Sequence, residues 1–145
     1  MGFTTALYEA LKLDGDAQAC ILQPQNLGAG ITDSAWITMA GYRNVLFIMQ
    51  LGTAADAATT IDLIVEQATD NAGTNAGPLF GRRGTKAAAT ITAGAGFATY
   101  NGLVLIYVRA EEMDVNNGFN YLGIQATISA QDTWYISCVA ARDVA

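Results

Sequence analysis

Histidine does not occur anywhere in these 145 residues. Its absence removes the commonest general base, the usual activator of a serine or cysteine nucleophile and the commonest metal ligand. Charge is scarce as well: Asp, Glu, Lys and Arg together make 14% of the chain, where ordinary soluble domains carry about a quarter. A small domain so poor in charge must surface itself partly with Ala, Gly, Ser, Thr and Asn. Water tolerates these residues, and another subunit packs against them readily. Cysteine is limited to Cys20 and Cys138, too few for a disulfide scaffold and without the C-x-x-C spacing of a zinc site. Each lies in an apolar run, where a free thiol behaves as a small buried hydrophobe; a bridge between the two stays open. No apolar stretch nears the roughly 20 residues of a membrane span. Glu9 and Lys12 interrupt the first residues, so no signal peptide is expected there. The expectation is a chain kept in the cytoplasm unless it leaves as part of a larger particle.

What charge there is leans acidic. The net charge is −6 and the pI about 4.3, a balance that repels phosphate backbones and argues against nucleic acid as a partner. Three of the seven basic residues, Arg82, Arg83 and Lys86, fall in one short segment. They form either a solvated loop tip or an electrostatic peg for an acidic neighbouring subunit.

Chemistry-bearing patterns are thin. Glu111, Glu112 and Asp114 crowd into four residues beside Asn116-Asn117-Gly118, a solvated shoulder rather than two acids facing across a cleft. Asp14, Asp16 and Asp56 could offer oxygen ligands, but no calcium-loop spacing accompanies them. Gly28-Ala29-Gly30 and Gly94-Ala95-Gly96 lack the continuation of a phosphate-cradling loop. Trp36 and Trp134 lie in apolar strand patterns, where indoles are more often core than ligand platform. No catalytic residue, metal or cofactor is expected.

Along the chain, residues 1–13 read as a helix or arm: Phe3, Leu7 and Leu11 recur every fourth position, with Tyr8 beside them. About ten helical residues are marginal alone, so this stripe must dock, on its own domain or on a neighbour. Phe3, Leu7, Tyr8, Leu11, Arg82, Arg83 and Lys86 are therefore the candidate partner contacts. From residue 17 to 145 the pattern is that of strands. Val45 to Leu51 and Leu103 to Val108 are continuous apolar runs, expected to be covered on both sides. Asp70 to Pro78 reads as a surface loop, and Lys86 to Thr92 as a weak strand. Asn117-Gly118 suggests a tight hairpin. Leu122, Ile124, Ala126 and Ile128 should share one face, as should Trp134, Ile136 and Cys138. Ala57 to Ala68 could be helical, but Thr59, Thr60, Ile61, Ile64 and Val65 favour a strand. About eight strands and one leading helix predict a single mainly β domain, a two-sheet β-sandwich or jelly roll.

Several segments resemble the capsid decoration, or cement, proteins of tailed bacteriophages. They are Met1-Gly2-Phe3-Thr4-Thr5-Ala6-Leu7-Tyr8, Trp36-Ile37-Thr38-Met39-Ala40-Gly41-Tyr42 with Val45-Leu46-Phe47-Ile48, and Gln67-Ala68-Thr69-Asp70-Asn71-Ala72-Gly73-Thr74. Val108-Arg109-Ala110-Glu111-Glu112-Met113-Asp114-Val115 with Gly118-Phe119-Asn120-Tyr121 completes the set. These are packing and turn residues without a catalytic signature. The resemblance implies a virion protein in many copies, often a homotrimer, seated on the major capsid protein at the capsid exterior. Other expectations compatible with the same features are a neck or tail structural role and a carbohydrate-binding sandwich using Trp36 or Trp134.

Overall fold

The computed structural model describes residues 18–81, 84–88, 90–94 and 102–144. The predicted helix over 1–13 lies outside them, as do Phe3, Leu7, Tyr8, Leu11, Arg82 and Arg83. Among the described residues the chain is mainly β, as the strand patterns from residue 17 onward led us to expect. Its strands are β1 (Gln18–Asp33), β2 (Ile37–Thr38), β3 (Tyr42–Ala54), β4 (Thr60–Ala68), β5 (Gly77–Pro78), β6 (Phe80–Gly81), β7 (Gly84–Thr85), β8 (Ile91–Thr92), β9 (Gly102–Arg109) and β10 (Tyr121–Val144).

β10 organises the rest. β1 lies antiparallel along one of its edges, and β3 and β4 follow each other along the opposite edge. β9 pairs with the far side of β3, while β5 and β8 pair with β4. Straight, the 24 residues of β10 would reach about 80 Å. Instead both ends meet Thr38, which pairs with Tyr121 and whose carbonyl accepts a 2.7 Å hydrogen bond from Arg142 Nη1. The strand is therefore bent back on itself, and the sheet curls into a half-barrel of two facing arms.

The bend falls at residues 129–132. Gly28 opposes Thr133 but Gly30 opposes Ile128, so four residues of β10 face one of β1. Such an excess on one strand kinks it and strengthens its twist. Polar groups stitch the corner: Ser129 Oγ donates to Asp132 at 2.7 Å and accepts the Thr60 N–H at 3.0 Å, and Ala55 N–H donates to the Thr133 carbonyl. Asp56 caps the β3–β4 connection by accepting the Ala58 and Thr59 N–H groups, so this predicted calcium candidate is a turn former.

The core fills the space between the arms. Val45, Phe47, Met49 and Leu51 of β3, Ile61, Leu63 and Val65 of β4, and Leu122, Ile124, Ala126, Ile128, Trp134, Ile136 and Cys138 of β10 are all buried. Each large aliphatic or Phe side chain so placed contributes about 1.5–3 kcal/mol. The alternation read from Leu122 to Ile128 and from Trp134 to Cys138 holds, and 60–68 is a strand as its β-branched residues required.

Four expectations need correction. The run Leu103 to Val108 is not buried on both sides: β9 pairs only with β3 among the described residues, and Leu103, Leu105 and Tyr107 stand exposed. β3 is central, yet one face is only half covered, at Leu46 and Ile48, and Gln50 is exposed. Asn116-Asn117-Gly118 does not close a hairpin. It ends a 3-10 turn over Val115–Asn117, with Gly118 at φ +85° receiving the chain into β10. Pro24, which follows the apolar run Ala19 to Leu22 and was expected from the sequence to end it as a short strand, sits inside β1 beside register shifts between Leu22 and Gln25, a position that an edge strand tolerates.

Candidate interaction surface

Two surface features follow from this architecture. The first is the β6–β7 hairpin, where Phe80 opposes Thr85 and Gly81 opposes Gly84 in a two-stranded sheet of its own. Its base is fixed. Leu79 is fully buried, its N–H donates to the Val65 carbonyl, and Lys86 N–H donates to the Leu79 carbonyl. Beyond that base Phe80 projects with 68% of its surface exposed. Arg82 and Arg83 come between Gly81 and Gly84 in the sequence.

Lys86, the described member of the predicted basic cluster, is held at the hairpin's base rather than at a solvated tip. Its ammonium contacts both oxygens of Glu112, at 3.1 and 3.2 Å, with both side chains largely withdrawn from water. Burial raises the Glu112 carboxyl, but the Arg109 N–H at 2.8 Å and the Lys86 charge together hold it below its ordinary value. The rest of the acidic shoulder is internally engaged too: Glu111 pairs with Arg109 at 3.2 Å, and Asp114 accepts from Asn117. Among the described residues no three His, Cys, Asp or Glu side chains gather as metal ligands.

The second feature is the outer face of the β9–β3 arm. Directly opposed residues share a face, so Tyr107 lies beside Leu46, Leu105 beside Ile48 and Leu103 beside Gln50. Leu46 and Ile48 continue into Ala141 and Val139 of β10, and Val139 into Cys20 of β1. Leu103, Leu105 and Tyr107 are 67%, 52% and 46% exposed. Cys20 is free and exposed on this face, while Cys138 is free and buried on the other. Burial, with Cys20 nearby, pushes the Cys138 thiol up to about 12.

The tryptophans divide. Trp134 is fully buried and its indole N–H donates to the Gly52 carbonyl at 2.9 Å, a core role. Trp36 is half-buried, lying so close over Gly123 and Gly73 that a Cβ there would stand 3.0 and 2.6 Å from its ring atoms. On the outer face where β10 pairs with β4, Gln125 Nε2 donates to both Glu66 and Asp33, at 3.2 and 3.3 Å. Burial, then the Asp33 charge, raises the Glu66 carboxyl.

Sequence reasoning missed Phe80 and the exposed side of β9. A lone Phe beside glycines and arginines was the one available signal for the first.

No family model matches this chain, and no curated protein does. Solved structures do. One of infectious bursal disease virus, Gt strain, aligns over 88% of this chain and 32% of that one, at 11% identity and a TM-score of 0.48. The Gx strain gives 85% and 30% coverage, 12% identity and 0.46. A family two carbohydrate esterase from Cellvibrio japonicus gives 89% and 31%, 6% and 0.39. The chain thus spans about a third of the length of each.

Proposed function

We propose that this chain is a non-enzymatic virion structural protein of the capsid decoration type. In this reading the two arms are the layers of a jelly-roll-like sandwich, and the chain assembles as a homotrimer on the major capsid protein at the capsid exterior. The observation that carries it is the hairpin: an exposed Phe80 on a base fixed by buried Leu79 and the Lys86–Glu112 pair. Exposed aromatics on rigid mounts are the usual anchors of protein interfaces. The low charge content and the resemblance of several segments to decoration proteins support the same reading. A protein that binds only the assembled shell stabilises that shell by mass action, with no chemistry required.

Light scattering at micromolar concentration tests the assembly. The expected mass is three times the 15.2 kDa of one chain, falling to a single chain in Phe80→Asp. Because Phe80 is exposed in the single chain, the variant should keep the wild-type β circular dichroism spectrum, losing only the stabilisation that assembly adds. A wild-type mass of one chain overturns the trimer.

A further inference from the structure

A strand at the edge of a sheet presents unpaired N–H and C=O groups, and folded proteins blunt such edges with short strands, proline or bulges. This sheet does so beyond β10 and beyond β4. β1 carries Pro24 and shifts register three times against β10, and β4 is flanked by the two-residue strands β5 and β8. β9 is built differently. It pairs with β3 over eight consecutive residues without a shift, and its other edge has no partner among the described residues. It holds no proline, and no charge before Arg109 at its end.

The strand is also matched to itself. Leu103, Leu105 and Tyr107 on its outer face are exposed, and Val104 on its inner face is half-buried. Set antiparallel about a two-fold axis through Leu105, two copies of β9 place Leu103 opposite Tyr107, Leu105 opposite Leu105 and Val104 opposite Ile106. Directly opposed residues share a face, so the outer apolar stripe and the inner layer both continue across the join. A register centred on Ile106 would set Leu103 against Arg109, and one centred on Val104 would carry Tyr107 past the end of the other strand. Charge agrees with this arrangement. It keeps the two Arg109 side chains at opposite ends of the join, about 27 Å apart, whereas parallel pairing would set these like charges side by side.

We infer that β9 pairs antiparallel with β9 of a second copy, centred on Leu105, so that two sheets join into one. The contact is about 27 Å long and one sheet layer, about 10 Å, thick. It therefore buries roughly 300 Å² per copy, against about 800 Å² for a standard interface. Such a pairing is weak and reversible, and it fills where copies are crowded. It uses none of the hairpin at Phe80 and is independent of the assembly role proposed above, whose mass at micromolar concentration it leaves unchanged.

Disulfide trapping tests it, because a bridge needs Cα atoms within about 7 Å of each other. The full chain carries Cys20→Ser, Cys138 being buried, and receives one of Leu103→Cys, Leu105→Cys or Tyr107→Cys. Each variant is oxidised at about 100 μM, where a weak pair is populated by mass action. Leu105→Cys should form a covalent two-chain product about tenfold faster or more than either of the others, whose like positions lie about 14 Å apart across the join. A mixture of Leu103→Cys and Tyr107→Cys should bridge one to the other. All three positions are exposed, and an unchanged β circular dichroism spectrum shows that each variant is folded. Both results should hold with Phe80→Asp added, so failure of the Phe80 assembly leaves this test intact. Equal rates at the three positions, or no bridge at position 105, would overturn the inference. So would bridges that vanish with Phe80→Asp, which would assign the closeness to the Phe80 assembly.

Discussion

Glu66 is buried on the outer face of β4 with Asp33 close by, sharing one donor, the Gln125 amide. Burial and then the Asp33 charge raise its carboxyl above the ordinary 4.5. A carboxyl raised on folding supports the fold fully below its unfolded value, and that support is lost as pH rises through the folded one. Glu66→Gln should therefore melt higher than the wild type at pH 7, with the gap closing below about pH 4.5. Thermal melts across that range check it; a gap of constant size, or of opposite sign, contradicts it. The alternation Ile61, Leu63, Val65 against Asp62, Ile64, Glu66 made the side of Glu66 legible in the sequence. Its neighbour was not. Asp33 reaches it only through the register of both strands on β10, with Asp33 and Ile64 opposing the same Gln125, and no local pattern encodes a register across three strands.

At the scale of elements, the hairpin stands on one ion pair. Removing Lys86 leaves the Glu112 carboxylate largely buried without its cation, which costs about 1–3 kcal/mol. Lys86→Met should show that loss in urea unfolding at pH 7. Glu112 is held below its ordinary value, so its contribution is present above 4.5 and is lost as pH falls through the depressed folded value. The difference between Lys86→Met and wild type should shrink in acid; an unchanged urea midpoint at pH 7 would contradict this account of the hairpin base. Strands were the legible elements. β4 declared itself by its β-branched residues, and β10 by two alternating runs that proved to be one bent strand. The fate of β9 was hidden for a physical reason: Leu103 to Val108 reads alike at the centre and at the edge of a sheet, and only the pairing of neighbours decides which face water reaches. Asn117-Gly118 misled because its glycine supplies positive φ equally well to a 3-10 turn and to a hairpin.

The whole molecule is a curled β half-barrel, acidic and poor in charge, with an apolar outer face on one arm and an anchored aromatic projecting from the other. Mainly β architecture was readable from apolar runs and alternation, whereas the folding-over of the sheet was not, because it rests on a four-residue excess in β10 that appears only once its partner strand is known. The measurement closest to the central claim is binding to tailed-phage heads that lack this chain. Purified protein is added to such heads, which are then sedimented, imaged and melted. The proposal predicts saturable binding at a fixed copy number, density on the outer surface at three-fold positions, and heads that break at higher temperature, with Phe80→Asp failing in all three. Protein that stays in the supernatant, beside heads whose stability does not change, would contradict it.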